Sequence, residues 1–343
     1  MNSCERVMTA MRGGQPDRVP LIETVIDPGV WKPLCPEATD AADFCDRMDM
    51  DAVCCGGLFT KVRELEDGSY YDEWGVRYVP GSEVIDHPVE GCIESMDDLR
   101  KYVPPDPEAD HRLGVLPDLV SRYKGKRSIW FGQRAAFMWS AFLMGFENML
   151  MALVAEPKLA GAVMDMVLET NMSIVRRAIR AGAEVVVVPD DWAHNSGPLM
   201  SPKVFSELIL PRFQKMVDLI HDEGGLVLKH TDGNIYPILD MLVATGIDAL
   251  NPIEPKAGMD LVTVRERVGS KLCLVGNIDV SELLPHGTPE EVEQTVRQAM
   301  LDGGRDGSFI VASSNSIHSS CRSENFLAHI RATQRWGKYP LSY

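Results

Sequence analysis

Two hydrophobic periods alternate along this chain. From residue 183 onward, short apolar runs are followed by longer stretches with an apolar stripe every three to four residues. The first pattern predicts strands and the second amphipathic helices. Ala183 to Pro189 is the first such strand. The next helix opens at Ser201-Pro202, with serine as N-cap and proline in the first turn. Phe205, Leu208, Ile209, Phe213, Val217 and Ile220 form its stripe, and it ends at Gly224-Gly225. Strands follow at Leu226 to His230, Ile247 to Ile253, Leu272 to Ile278 and Phe309 to Ala312. Helices are expected at about Tyr236 to Ala244, from Thr288, and at about Glu324 to Trp336. Thr288-Pro289-Glu290-Glu291 reads as a capping box.

Three further strands are expected in the first half, at Val19 to Ile26, Ala52 to Gly56 and Ser128 to Gly132. Repeated strand–helix alternation argues for a parallel sheet. Eight strands point to an α/β fold, a (β/α)8 TIM barrel, with a doubly wound sheet as the main alternative. Ser69 to Val89, rich in aromatic and β-branched residues, reads as an inserted β-hairpin in the N-terminal half. Val103-Pro104-Pro105-Asp106-Pro107 reads as a rigid connector rather than a boundary, so residues 1–343 are expected to form a single domain.

Composition narrows the function classes. Of the 343 residues, 45% are hydrophobic and 24% charged, an ordinary globular balance. A formal net charge of −16 opposes nucleic acid and anionic membrane as partners. No run is long and apolar enough for a transmembrane helix, and the N-terminal residues lack the apolar core of a signal peptide. None of the eight cysteines forms a CxxC pair, so reduced thiols and a cytoplasmic location are expected.

In a barrel the chemistry gathers at the C-terminal ends of the strands. Those ends carry Glu23, Cys54 and Cys55, then Gln133 and Arg134, then Asp190, Asp191 and Trp192. His230 and Asp232 come next, before Asn251 and Glu254, Asn277 and Asp279, and finally Ser313, Asn315 and His318. His230 and Asp232 share one face, because strand side chains alternate with period two. They can form part of a metal site or an acid/base pair, with Glu23, Asp191, Glu254 or Asn315 as further ligands. Adjacent Asp190 and Asp191 point to opposite faces, so at most one is expected in the site. Trp130, Phe131, Phe137, Trp139, Phe142 and Trp192 either line a pocket for a flat substrate or fill the core.

Several segments resemble the uroporphyrinogen decarboxylase superfamily. They are the run Gly197 to Pro202, the helix end Ile209 to Arg212, His230 to Asn234, Gly246 to Pro252 and Gly276 to Asp279. The resemblance is strongest over residues 183–335 and implies a (β/α)8 barrel that is either a decarboxylase or a cobalamin-dependent methyltransferase. The decarboxylases carry an arginine-rich motif after the first strand, where this chain reads Ile22 to Gly29 with no arginine. They carry an aspartate at the second strand, where Cys54-Cys55 stands, and a Gly-His-Gly where Ser314-Asn315-Ser316 stands. The methyltransferases hold zinc with a His-x-Cys pattern and a later cysteine. Here His230 matches the histidine, Asp232 replaces the first cysteine, and Asn315 lies near the second.

The resemblance therefore implies a corrinoid-dependent methyltransferase subunit. It would demethylate a small methoxy or methylamine donor and pass the methyl to cobalamin carried by a separate corrinoid protein. His230, Asp232, Glu254 and Asn315 are the expected zinc ligands, and His230 and Asp191 the expected catalytic residues. Glu23, Gln133, Arg134, Trp192, Asn277 and His318 are expected to touch substrate. The alternatives are a metal-free lyase of a smaller carboxylic acid and a non-catalytic binding barrel.

Overall fold

Val185-Val186-Val187-Val188 shows why this chain builds a sheet buried on both faces. β-branched side chains suit the pleat. Both alternate sets are covered here, since Val185, Val186 and Val188 are fully buried. Each is worth roughly 1.5–3 kcal/mol relative to exposure. The computed structural model describes residues 1–81 and 86–342. Its central element is a seven-stranded parallel sheet in chain order. The strands are β1 (Ala52–Gly56), β2 (Ser128–Gly132), β3 (Val185–Pro189), β4 (Leu226–His230), β5 (Ala249–Asn251), β6 (Cys273–Ile278) and β7 (Phe309–Ser313). Registers place His230 beside Pro189 on one side and Asn251 on the other.

The eighth expected strand, Val19 to Ile26, is not a regular strand. Pro20 has no N–H for a ladder, and the segment pairs through isolated bridges at Leu21 and Ile26. It nevertheless touches both edges of the sheet. Ile22 N donates to Val311 O at 3.1 Å, and Asp51 N donates to Leu21 O at 2.8 Å. The sheet is therefore curled, with this segment between β7 and the start of β1. Asp51 holds the seam. Its fully buried carboxylate accepts from Leu21 N at 2.9 Å and pairs with Arg6 at 2.6 Å and Arg18 at 2.9 Å.

The helix expected from Ser201 is also altered. Pro211 lacks an N–H and its ring crowds the carbonyl four residues back. A wide π turn over Phe205–Ile209 separates Pro202–Val204 from Leu210–Asp222. Phe205, Ile209, Phe213, Val217 and Ile220 of the expected stripe are buried, and Leu208 is half-buried. The capping box forms, with Thr288 and Glu291 each bonding the other's backbone amide. Among the described residues, no single helix is long and apolar enough to cross a membrane.

The insertion after β1 is larger than a hairpin. Lys61–Glu64, Tyr70–Asp72, Arg77–Val79 and His87–Glu90 form a four-stranded antiparallel meander. Residues 82–85 of the expected segment lie outside the described residues. Its first strand escapes sequence reading because all four of its residues are exposed, which leaves no apolar alternation. The meander is tied to the helix after β2 by aromatic contact. Trp74 is fully buried, with its ring 5.4 Å from Trp139 and 5.6 Å from Phe59. Glu73 adds an ion pair to the fully buried Arg112 at 2.7 Å. Burial pushes the Glu73 carboxyl up, but Arg112, Thr60 and His111 outweigh it and hold the group at about 2.

Two stability outcomes follow. Asp51→Ala leaves two guanidiniums without their buried carboxylate, so unfolding free energy drops by about 3–5 kcal/mol. A urea midpoint that does not move at constant m-value counts against the seam role. Glu73 ionises at about 2 in the fold, against an ordinary value of 4.5. Its contribution is therefore present above that ordinary value and is lost as pH falls toward 2. Glu73→Gln flattens the acid limb of the stability curve in that window, measured by urea unfolding at a series of pH values.

Candidate metal and substrate site

β4 ends with Lys229 and His230 pointing to opposite faces. His230 faces the mouth of the curled sheet, beside Asn251 of β5. Asn251 Nδ2 donates to Val275 O at 3.0 Å, and that carbonyl only accepts. The Asn251 oxygen must then face His230 Nδ1, at 2.5 Å, so Nδ1 carries the proton. Nε2 keeps its lone pair. It lies 3.4 Å from Asp232 Oδ1, a buried oxygen with no hydrogen-bond partner. Two acceptors facing each other need a positive charge between them, a metal ion or a further proton on His230. Asp191 completes the group, and ligand atoms of Asp191, His230 and Asp232 all lie within 4.8 Å of one another. One nitrogen and two oxygens are a donor set that zinc accepts.

Neighbouring groups position these three residues. Asp232 N donates to Asp191 Oδ1 at 3.1 Å, and Asn315 Nδ2 donates to Asp232 Oδ2 at 2.7 Å. Burial pushes the Asp232 carboxyl up to about 6; Asp191 and Glu254 add like charge, and His230 and Asn315 oppose it. Gly233 makes the turn after Asp232 at φ +86°, where a Cβ would meet the Ala193 backbone at 2.5 Å. Its N–H donates to Glu254 Oε2 at 2.7 Å.

The two aspartates after β3 separate as their alternation requires. Asp190 is buried and caps the helix Phe137–Met144, accepting from the amides of Ala136, Phe137 and Met138 at 3.0–3.2 Å. Lys229 braces the same loop from behind. It is fully buried, donates to Asp190 O and sits 3.5 Å from the Trp192 ring centroid. Burial pushes its ammonium down to about 7, against the pull of Asp190 and Asp191.

A cavity of about 490 Å³ opens over Asp191, His230 and Asp232, a size suited to a small organic molecule. Glu23, Gln133, Arg134 and Asn315 also line it. Gln133 is fixed by donating to Asn171 Oδ1 at 2.8 Å. Glu23 accepts from Ser313 N at 2.9 Å and from Ser313 Oγ, and lies 3.1 Å from the fully buried His329. Asn315 turns its nitrogen to Asp232, and its oxygen accepts from Ser316 N at 2.7 Å. Both polar atoms of its side chain thus bond within the protein. Glu254 does not line the cavity and accepts from the Gly233 amide instead.

Three residues expected at the substrate are placed elsewhere. Trp192 is fully buried against Phe205 and Phe213. Asn277 donates to Ile253 O at 3.0 Å, and the His318 ring bonds Val280 O at 3.0 Å. None of the three lines the cavity. Of the six expected aromatics only Trp139 does; Trp130, Phe131 and Phe137 are core. Phe59 joins Trp139 from the insertion, a contribution no local pattern announces. Cys54 and Cys55 also line the cavity. Burial raises both thiols, Cys55 to about 12, so neither offers a ready thiolate.

The uroporphyrinogen decarboxylase (URO-D) family profile matches residues 75–336. The chain belongs to the URO-D family. The matched region contains every metal-compatible residue named above and Arg134, but not Glu23. Within this family, a methylated-thiol–coenzyme M methyltransferase of Methanosarcina mazei is 27% identical over 223 residues. That match covers 64% of this chain and only 56% of the relative. A uroporphyrinogen decarboxylase of Shewanella loihica is 25% identical over 311 residues, 83% of this chain and 79% of that protein. A solved methyltransferase from Methanosarcina mazei superposes with a TM-score of 0.75, covering 98% of this chain and 99% of that one. At 19% identity it shows that the two share a fold.

The Asn251 contact yields a measurable outcome. Asn251→Ala frees the His230 ring and its tautomer, and outer partners of this kind are worth about 10–100-fold in metal affinity. Competition of zinc against a chelator reads the loss directly. An unchanged affinity removes Asn251 from the site.

Proposed function

We propose that this URO-D family member is a methyltransferase that demethylates a small methoxy or methylamine compound. The methyl passes to cobalamin on a separate corrinoid protein. The observation that carries this reading is the Asp191, His230 and Asp232 group, with its two facing acceptors, at the wall of an organic-sized cavity. The likeness to two methyltransferases supports it. So does the lining of the cavity. Among the described lining residues Arg134 is the one permanent cation, a poor cradle for a tetrapyrrole with many carboxylates.

Zinc bound by these three residues would act as a Lewis acid on the heteroatom that carries the methyl, easing its departure. The chain's own groups prepare that contact. Asn251 keeps the proton on His230 Nδ1 and leaves Nε2 open. Asn315 and the Asp232–Asp191 contact fix the carboxylates. The raised thiols of Cys54 and Cys55 stay neutral and leave the oxygen-rich ligand set unchallenged. We further propose that Pro20 to Ile22 acts as the remaining stave of an eightfold barrel, that residues 1–343 form one domain, and that the protein works in the cytoplasm.

Metal analysis of the purified protein tests the reading. One zinc per chain is expected, falling to a small fraction in His230→Ala. Equal metal in both proteins, or none in either, sinks the zinc assignment. Turnover of a small carboxylic acid in chelator-treated protein without a corrinoid protein would replace it with the metal-free lyase.

A further inference from the structure

Arg134 differs from the other enclosed arginines. Arg6, Arg112 and Arg127 each pair with a carboxylate, and Arg265 donates to four backbone carbonyls. Arg134 has no carboxylate within ion-pair distance among the described residues, and its Nε is buried without a hydrogen-bond partner. Its guanidinium carbon lies 5.6 Å from the Trp139 ring centroid and 5.4 Å from that of Phe142. Aromatic contact holds the plane in place but does not satisfy its donors. The group nevertheless faces the cavity. In a chain with 50 acidic and 34 basic residues, a half-buried cation with no anion beside it among the described residues is conspicuous. Desolvating it is costly until an anion arrives.

The acids of the described cavity wall do not fill this role: none lies within ion-pair distance of Arg134, and each makes other contacts. Glu23 is held by Ser313 and His329, Asp232 by Asn315, and Asp191 by the Asp232 amide. Arg134, following β2, and the carboxylates of Asp191 and Asp232, following β3 and β4, thus line one cavity with no ion pair between them.

We propose that Arg134 is a substrate-carboxylate site and that the methyl donor is a small carboxylic acid. Its carboxylate meets the guanidinium fork, and its methyl-bearing heteroatom reaches Asp191, His230 and Asp232. A planar fork matches a carboxylate through two parallel hydrogen bonds. A single positive charge suits a singly charged oxyanion better than a phosphate dianion. Asp191 and Asp232 repel the carboxylate, so Arg134 sets the orientation in which the molecule binds. Trp139 and Phe59 supply an apolar wall for its body. Naming the ligand as donor rests on the methyl-transfer reading; the carboxylate site itself does not.

Calorimetry separates the two claims, because binding is read without turnover. The probes are benzoate, 4-methoxybenzoate and N,N-dimethylglycine, each beside its neutral amide, with phenylphosphonate and benzenesulfonate as other oxyanions. Titrations use the metal-loaded and the chelator-treated protein. At least one carboxylate should bind about 10–100-fold more tightly than its amide, as charge-assisted pairing predicts. Arg134→Gln should remove that preference, and Arg134→Lys should restore part of it. The preference should persist in chelator-treated protein, so a failed zinc assignment leaves it standing. No carboxylate preference in the wild-type protein, or the same preference in a folded Arg134→Gln, overturns the inference. Tighter binding of the phosphonate or sulfonate overturns the choice of carboxylate. Should Arg134→Gln not fold, the wild-type comparison of acid with amide still decides.

Discussion

Parallel register is the constraint on which this structure depends. Seven strands run the same way and end on one rim, so each strand's last residues meet those of its neighbours. The pairing of His230 with Pro189 and Asn251 sets the site. It puts an amide oxygen against Nδ1 and brings the loop after β3 up to the turn after β4. A shift of one residue would exchange His230 with Lys229 and turn the imidazole into the helical layer. The two residues have opposite environments for this reason. One is a half-buried base in a cavity, and the other a fully buried ammonium under Trp192.

Around that register most polar groups find partners, and two of the exceptions among the described residues lie at the cavity. Asp190 closes a helix end, Glu23 is held by Ser313 and His329, and Asp51 holds the seam. The Asp232 oxygen and the Arg134 Nε stand out because both are buried without a hydrogen-bond partner among the described residues and both belong to residues of the cavity wall. Buried groups of this kind ordinarily find partners. Their placement in one cavity, at separate strand ends, is what turns a family fold into a specific chemical reading. Family membership supplies the scaffold, and function resides in the groups grafted onto it.

Most of the strands were legible from the chain alone. Seven of the eight expected strands exist, because apolar runs bounded by polar turns are a local signal. Two departures trace to proline, whose missing N–H prevents a ladder at Pro20 and forces a wide turn before Pro211. A third arises at Lys61–Glu64, where a fully exposed strand has no alternation to read.

The site was legible only as a ring of strand-end residues. Period two put His230 and Asp232 on one face and made Asp190 and Asp191 diverge, since both are consequences of backbone geometry within a few residues. Tertiary structure decided the rest. It admitted Asp191 to the group, tied Asn315 to Asp232 and Glu254 to the Gly233 amide, sent Trp192 into the core, and set Asn251 against His230 and His329 beside Glu23. Those outcomes depend on distances between residues tens to hundreds of positions apart. Register and packing set such distances, and no local pattern of side chains encodes them.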